Sequence, residues 1–171
     1  MDRDAEMLKL SLFAAALLVL PGAQAAESGG LPPVVVYGPQ VCLACAEWIE
    51  HLRENGFSAT FQGTADMAAV KRRLKVPAEV ESVLTATVGK YFIEGHVPAG
   101  DIKLLLKEKP KARGLAVPGL PAGAPGFEST EVHCEAGCTV LEYNSLREPI
   151  REAYNVLLVA PDGKTSTYAR H

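Results

Sequence analysis

Apolar and polar positions follow strand-like and then helix-like spacing through the first half of the chain. Val34 to Tyr37 is a short apolar run, rich in β-branched residues, of the kind that fills a central strand. Apolar residues then recur at helical spacing from Val41 to Leu52, and Asn55-Gly56 is a stop signal for that helix. Residues 58–62 predict a second strand, and a second helix follows it and ends before Pro77. The predicted order up to this point is β-α-β-α.

The next segment predicts a hairpin and a third helix. Residues 85–88 and 91–94 are strand-like runs separated by Gly89-Lys90, a spacing that favours a tight two-residue turn. Pro98 opens a helix with one apolar face, which ends at Lys109-Pro110. The order β-α-β-α-β-β-α is that of a thioredoxin-like α/β fold. In that fold a crossover makes the first two strands parallel, and the hairpin adds antiparallel strands.

The composition changes after the third helix. Residues 110–127 hold four prolines and four glycines, too many for a helix or a central strand, so we expect this segment to wrap the domain surface. Residues 128–152 form an insertion that contains two cysteines. Residues 153–171 predict an added C-terminal hairpin, because two strand-like runs flank a Pro-Asp-Gly turn.

The N-terminus has the pattern of an export signal. Leu10 to Leu20 is an apolar run of signal-peptide length, too short to span a bilayer, and Ala23-Gln24-Ala25 is a cleavage pattern. We therefore expect residues 1–25 to be removed. Residues 26–171 are then expected to form one domain that is soluble, periplasmic or secreted, and not attached to a membrane.

The net charge and the cysteine content limit the classes of partner that we expect. The formal net charge is −3, and no basic cluster could neutralise a phosphate backbone, so nucleic acid is not an expected partner. All four cysteines lie beyond the export signal. In an oxidising compartment such thiols either pair or bind metal.

The Cys42-x-x-Cys45 motif lies at the predicted junction between the first strand and the first helix. There the helix dipole and free N–H groups stabilise a thiolate, which can attack a disulfide or bind a soft metal such as Cu(I). If the hairpin begins antiparallel to Val34 to Tyr37, its returning strand brings His96 to the same edge of the sheet. The imidazole of His96 would then complete a Cys2His site or carry protons beside the thiols. The alternative is that His96 only caps or hydrogen-bonds near Pro98.

A second cluster lies in the insertion. His133, Cys134 and Cys138 can form a local disulfide or contribute metal ligands, and a purely structural disulfide is the favoured interpretation. His51 and His171 are interpreted as exposed residues and are assigned no role.

Residues 33–128 and 153–170 resemble the CopG-like family of small exported, thioredoxin-like metal-binding proteins of copper resistance. The stretches that carry the resemblance include "VVVYGPQVCLACAEWIEHLRENGF", "ARGLAVPGLPAGAPGFE" and "YNVLLVAPDGKTSTYAR". The resemblance implies copper handling in the periplasm. It also implies ligands from the strand-to-helix cysteine motif, from a Cys-His pair before the third strand and from methionines in the Pro/Gly segment.

This chain retains only part of the ligand set that the resemblance implies. The retained residues are Cys42, Cys45 and His96. Five positions where the family usually carries soft ligands hold other residues, namely Ala44, Val83, Leu84, Leu120 and Phe127. A multinuclear copper cluster is therefore not expected, and His133, Cys134 and Cys138 are candidate substitute ligands.

Three functions stay open. The leading hypothesis is a periplasmic protein that binds or buffers Cu(I) through Cys42, Cys45 and His96, and that passes copper to another periplasmic copper-handling protein. The second is a dithiol-disulfide oxidoreductase with Cys42 and Cys45 as its catalytic pair, although Leu84 stands where thioredoxin-like oxidoreductases usually carry a cis-proline. The third is a non-catalytic structural or partner-binding module in which both cysteine pairs are permanent disulfides.

Overall fold

The computed structural model describes residues 30–127 and 151–171. The seven strands are β1 (Val34–Gly38), β2 (Ala59–Gly63), β3 (Thr85–Val88), β4 (Tyr91–Glu94), β5 (Gly114–Ala116), β6 (Asn155–Val159) and β7 (Thr165–Arg170). The helices are α1 (Leu43–Glu54), α2 (Met67–Leu74) and α3 (Ala99–Glu108), with a short 3-10 helix at Ala78–Val80. Within these two ranges, no helix combines the length and the apolar character that a membrane crossing requires. The predicted export signal and the cluster of His133, Cys134 and Cys138 lie outside the described residues.

All seven strands form one mixed sheet in the order β2-β1-β3-β4-β5-β6-β7. Strands β1 and β2 are parallel, as the crossover through α1 requires. Strand β3 is antiparallel to β1, with Tyr37 opposite Thr85, and β3 and β4 form the predicted hairpin around Gly89-Lys90. The predicted α/β class and the order β-α-β-α-β-β-α are confirmed.

The prediction for residues 110–127 is wrong in one respect, because this segment contains the interior strand β5. Strand β5 pairs parallel to β4 and antiparallel to β6, so the C-terminal hairpin belongs to the same sheet. Its residues Gly114, Leu115 and Ala116 are all buried, and the prolines of the segment lie outside it. A Cβ at Gly114 would overlap the carbonyl oxygen of Phe92, so only glycine fits at this position of β5. The glycine content that argued against a strand is therefore, at this position, a requirement of the strand.

Helix α1 packs one face on the sheet and so fixes the position of the cysteine motif. The face consists of Cys45, Trp48, Ile49 and Leu52, each at most 4% exposed. Burial of a large apolar side chain stabilises the fold by about 1.5–3 kcal/mol. The indole Nε1 of Trp48 donates a hydrogen bond of 2.9 Å to the carbonyl oxygen of Val97, which joins the helix to the loop after β4.

A buried ion pair joins α2 to the hairpin. The ammonium of Lys71 donates to the carboxylate of Glu94, and it also donates to the carbonyl oxygen of Ser82 at 2.9 Å. The same carboxylate accepts from the backbone N–H of Ser82 and from the hydroxyl of Thr85, each at 2.6 Å. Desolvation raises the pKa of Glu94 above its usual value, against the opposing effect of these hydrogen bonds.

Candidate functional site

The two cysteines lie where the sequence predicted them, at the end of β1 and the start of α1. Cys42 has extended backbone angles and caps α1, because its sulfur accepts a hydrogen bond of 3.2 Å from the backbone N–H of Cys45. The two sulfurs are joined in a disulfide, with 5.2 Å between the Cα atoms. The first turn of α1 therefore holds an oxidised C-x-x-C motif.

The two ends of this disulfide differ in their access to solvent. Cys45 is fully buried in the core, whereas Cys42 is partly exposed and lines an open cleft of about 390 Å³. Gly38, the last residue of β1, makes room for the buried sulfur. A Cβ at Gly38 would lie 2.7 Å from Cys45 Sγ and 3.1 Å from the ring of Phe61. Sequence reasoning missed this role of Gly38, for which the Gly-Pro step at the strand end was the only signal.

His96 follows β4 and lies against the peptide between the two cysteines. Its Nε2 is 3.2 Å from the carbonyl oxygen of Ala44, and its ring packs edge-on to Trp48 with 6.3 Å between the centroids. The residue is fully buried. Because a carbonyl oxygen only accepts, Nε2 carries the hydrogen and Nδ1 holds a lone pair. In the part of the chain that the structure describes, that Nδ1 has no hydrogen-bond partner.

Burial sets the charge of this histidine. Desolvation lowers the pKa of His96 to about 4, and the hydrogen bond to the carbonyl of Ala44 opposes this effect more weakly. His96 is therefore a neutral imidazole near pH 7, which is the form that binds metals.

His96 does not cap α3, which was one part of the alternative interpretation, and its contacts in the structure are the hydrogen bond to Ala44 and the packing on Trp48. Pro98 provides no side-chain cap for α3, and the first backbone N–H of that helix, at Ala99, donates to Nε2 of His51 at 3.1 Å. Sequence reasoning interpreted His51 as an exposed residue with no role and so missed this contact. The separation of the two residues along the chain gave no signal for it.

The oxidised site does not by itself form a metal centre. Across residues 30–127 and 151–171, no group of three or more His, Cys, Asp and Glu side chains is placed to hold a metal ion. Sulfurs that are bonded to each other cannot act as thiolate ligands. Metal binding at Cys42 and Cys45 therefore requires reduction first.

Comparisons with known proteins give the family. Residues 80–127 match a family model described as "Protein of unknown function, DUF411". No curated protein matches the chain. Two solved structures, "Copper resistance protein copG", Form 1 and Form 2, are each 36% identical to it with a TM-score of 0.68. The alignment covers 82% of this chain and 98% of theirs. At this identity and coverage, the chain belongs to the CopG family.

Proposed function

We propose that this protein serves in copper resistance in the periplasm by binding copper as Cu(I). In this proposal the thiolates of reduced Cys42 and Cys45 and the imidazole of His96 are the ligands, and copper is a cargo that the protein buffers or passes on. Membership of the CopG family supports the copper role. The ligand types support Cu(I) as the oxidation state of the bound copper, because soft thiolates select Cu(I) and imidazole is compatible with copper.

The observation that carries the proposal is the free nitrogen of His96. A buried acceptor without a partner costs about 1–3 kcal/mol, and a cation bound at Nδ1 would remove that cost. Histidines that bind metals usually donate their other ring N–H to a carbonyl or carboxylate, which fixes the ring. The hydrogen bond from Nε2 to the carbonyl of Ala44 has this character, and Ala44 lies inside the C-x-x-C motif.

The helix start supports the thiolate ligands. After reduction, the sulfur of Cys42 keeps its position at the N-cap of α1, where the N–H of Cys45 points at it. This hydrogen bond and the helix dipole stabilise negative charge on that sulfur. Cys42 is therefore expected to be the first of the two sulfurs to bind a cation.

Competition for Cu(I) tests the proposal. Fully reduced protein is titrated against a chromophoric Cu(I) chelator, and the double variant Cys42→Ser/Cys45→Ser is compared with the matched control Cys134→Ser/Cys138→Ser. We expect the first variant to lose tight binding, and His96→Gln to weaken it by about tenfold or more. Wild-type affinity in Cys42→Ser/Cys45→Ser would overturn the proposal, and loss only in the control would assign the metal to the other cysteine pair.

The disulfide itself favours a second candidate, thiol-disulfide oxidoreductase activity at Cys42 and Cys45. This function requires a reduction potential above about −300 mV, the region below which structural disulfides lie. A purely structural disulfide is less favoured. The bond spans a separation of only three residues, so the loop-entropy model gives it about 2 kcal/mol, less than for a long loop. Equilibration with glutathione buffers separates the two alternatives.

A further inference from the structure

Strand β2 forms one edge of the sheet, and its outer side carries unpaired backbone groups. Among residues 30–127 and 151–171, β2 pairs only with β1. In a parallel pair of strands, alternate residues direct their N–H and C=O groups towards the neighbouring strand. The N–H of Val34 donates to the carbonyl oxygen of Ser58 at 2.8 Å, so the even-numbered residues from 58 to 64 face β1. The groups that point to the open edge are therefore those of Ala59, Phe61 and Gly63.

This edge lacks the features that usually protect an exposed strand. Natural edge strands are blocked by charged side chains, by proline or by a β-bulge. Strand β2 contains no charged residue and no proline, and its register with β1 is regular. The opposite edge differs, because β7 contains Arg170 and its pairing with β6 has a register shift. Of the two edges of the described sheet, β2 is therefore the more open to another strand.

The side chains along β2 are compatible with contact between two copies of the chain. Phe61, the central residue of β2, is 40% exposed. Its ring lies on the α1 side of the sheet, because a Cβ at Gly38 would meet both this ring and Cys45 Sγ. The charged side chains that line the neighbouring cleft, Glu50 and Arg53, lie 3.5 Å apart and compensate each other. Two copies of this surface therefore carry no net charge that would repel one from the other.

We propose that β2 is a self-association site, at which a second copy of this chain adds its own β2 in antiparallel orientation. The interface is isologous, with a twofold axis beside Phe61 and perpendicular to the sheet. Phe61 lies opposite Phe61 of the second copy, and each donates its N–H to the carbonyl oxygen of the other. Ala59 of one copy lies opposite Gly63 of the other. A second copy fits because β2 has two residues on either side of Phe61, so outward groups meet outward groups along the whole strand.

One contact within the chain and the short strand limit the strength of this interface. The guanidinium of Arg53 donates to the outward carbonyl oxygen of Ala59 at 2.9 Å. A carbonyl oxygen has two lone pairs, so it can also accept the N–H of Gly63 of the second copy. Strand β2 has five residues, and interfaces below about 1,200 Å² are weak or transient. We therefore expect a dimer that forms and dissociates with concentration.

The dimer would bring the two cysteine motifs to one face of a continuous sheet. A twofold axis perpendicular to the sheet leaves the α1 side of both copies on the same side. Cys42 and Phe61 line the same cleft, so the clefts of the two copies open beside the interface. This inference goes beyond the proposed function and does not depend on copper.

Sedimentation equilibrium of the oxidised full-length protein tests the self-association. The average mass is measured from about 10 μM to about 1 mM, the range in which weak interfaces form, and non-reducing electrophoresis checks for disulfide-linked chains. We expect the mass to rise towards that of a dimer without a disulfide link. A mass that stays monomeric would overturn the inference and leave the edge to a strand of a different protein, and larger oligomers or a disulfide-linked dimer would also overturn it.

Matched variants locate the interface. Phe61→Lys places two ammonium groups beside the twofold axis and is expected to weaken dimerisation by about tenfold or more, because like charges directly opposite destabilise paired strands. Phe61→Leu keeps an apolar side chain, and Thr167→Lys adds the same charge to the other edge strand, β7. Both controls are expected to dimerise like wild type. Equal dimerisation by Phe61→Lys and wild type, or an equal loss in Thr167→Lys, would contradict the assignment.

Amide hydrogen exchange followed by NMR tests the strand pairing in the wild-type protein, without a variant. The N–H groups of Phe61 and Gly63 are expected to exchange about twofold more slowly when half of the chains are paired. Those of Thr60 and Gln62 bond β1 within one copy and should stay slow at every concentration. Dimerisation without slower exchange at Phe61 and Gly63 would place the interface elsewhere and overturn the inference. Slow exchange of these two groups in dilute monomer would mean that the same chain covers the edge, which would overturn it as well.

Discussion

The neutral, buried imidazole of His96 makes a quantitative prediction for the pH dependence of stability. Its pKa is lowered to about 4 in the folded protein, against 6.5 for an unperturbed histidine. Between these two pH values the unfolded chain binds a proton at this imidazole and the folded chain does not. Acid therefore favours unfolding, and the stability that is fully present above pH 6.5 is lost as the pH falls towards 4. The corresponding free energy is about 3 kcal/mol.

Replacement by glutamine removes this titration and keeps a polar side chain that can donate to the carbonyl of Ala44. Urea unfolding of the oxidised protein is measured from about pH 7 to about pH 4.5 for wild type and His96→Gln. Wild type is expected to lose about 2–2.5 kcal/mol more than the variant over this range, so the difference in unfolding free energy between the two changes by that amount. His171→Gln removes an imidazole whose Nε2 lies 2.8 Å from Asp101 Oδ2 near the C-terminus, so its curve shows the effect of losing a histidine together with a surface contact to a carboxylate.

Parallel stability curves for wild type and His96→Gln would refute this reasoning. They would mean that the imidazole titrates equally in the folded and unfolded states, so His96 would have to be accessible to water when folded. The geometric argument for His96 as the proposed third copper ligand would then be lost, because its Nδ1 would not be buried and free of partners.

Two further predictions concern the packing around the site. Lys71→Met leaves the buried carboxylate of Glu94 unpaired, and we expect a loss of about 3–5 kcal/mol in denaturant unfolding. That loss grows as the pH rises above 4.5, because the folded variant retains a proton that the unfolded chain releases; a loss independent of pH would contradict this explanation. Gly38→Ala places a Cβ 2.7 Å from Cys45 Sγ and should lower the free energy of unfolding by about 1–3 kcal/mol, measured by thermal unfolding. In the control Gly100→Ala the added Cβ meets no atom within 4 Å and should cause no loss. Equal losses in the two variants would rule out crowding at Gly38 as the cause.

Most of the fold could be predicted from the sequence because its elements carry local signals. The hairpin of β3 and β4 has two short strand-like runs around a two-residue turn, and the structure has the same bounds, Thr85–Val88 and Tyr91–Glu94. Strand β5 lacked such a signal. Its three residues become a strand only because β4 and β6 lie on either side of them, and β6 is distant in sequence.

The candidate site, like the fold, could be predicted only in part from the sequence. The strand-to-helix junction placed Cys42 at the N-cap of α1, and the antiparallel hairpin placed His96 near the motif. No sequence pattern indicated that His96 is fully buried or that its Nε2 donates to the carbonyl of Ala44. Both features depend on Trp48 and the surrounding core, and such packing contacts between distant segments have no periodic pattern.

The order in which the proposed ligands meet a metal follows from their burial. Cys45 and His96 are both fully buried, and Cys42 is the only one of the three with exposed surface. Under the proposed function, a Cu(I) ion from solvent would therefore bind Cys42 first and reach the other two donors only after the first turn of α1 adjusts. That sulfur is bonded to the sulfur of Cys45 in the structure, so it becomes available as a thiolate ligand only after the disulfide is reduced. Under the proposed function, reduction of the disulfide would therefore precede copper binding at Cys42.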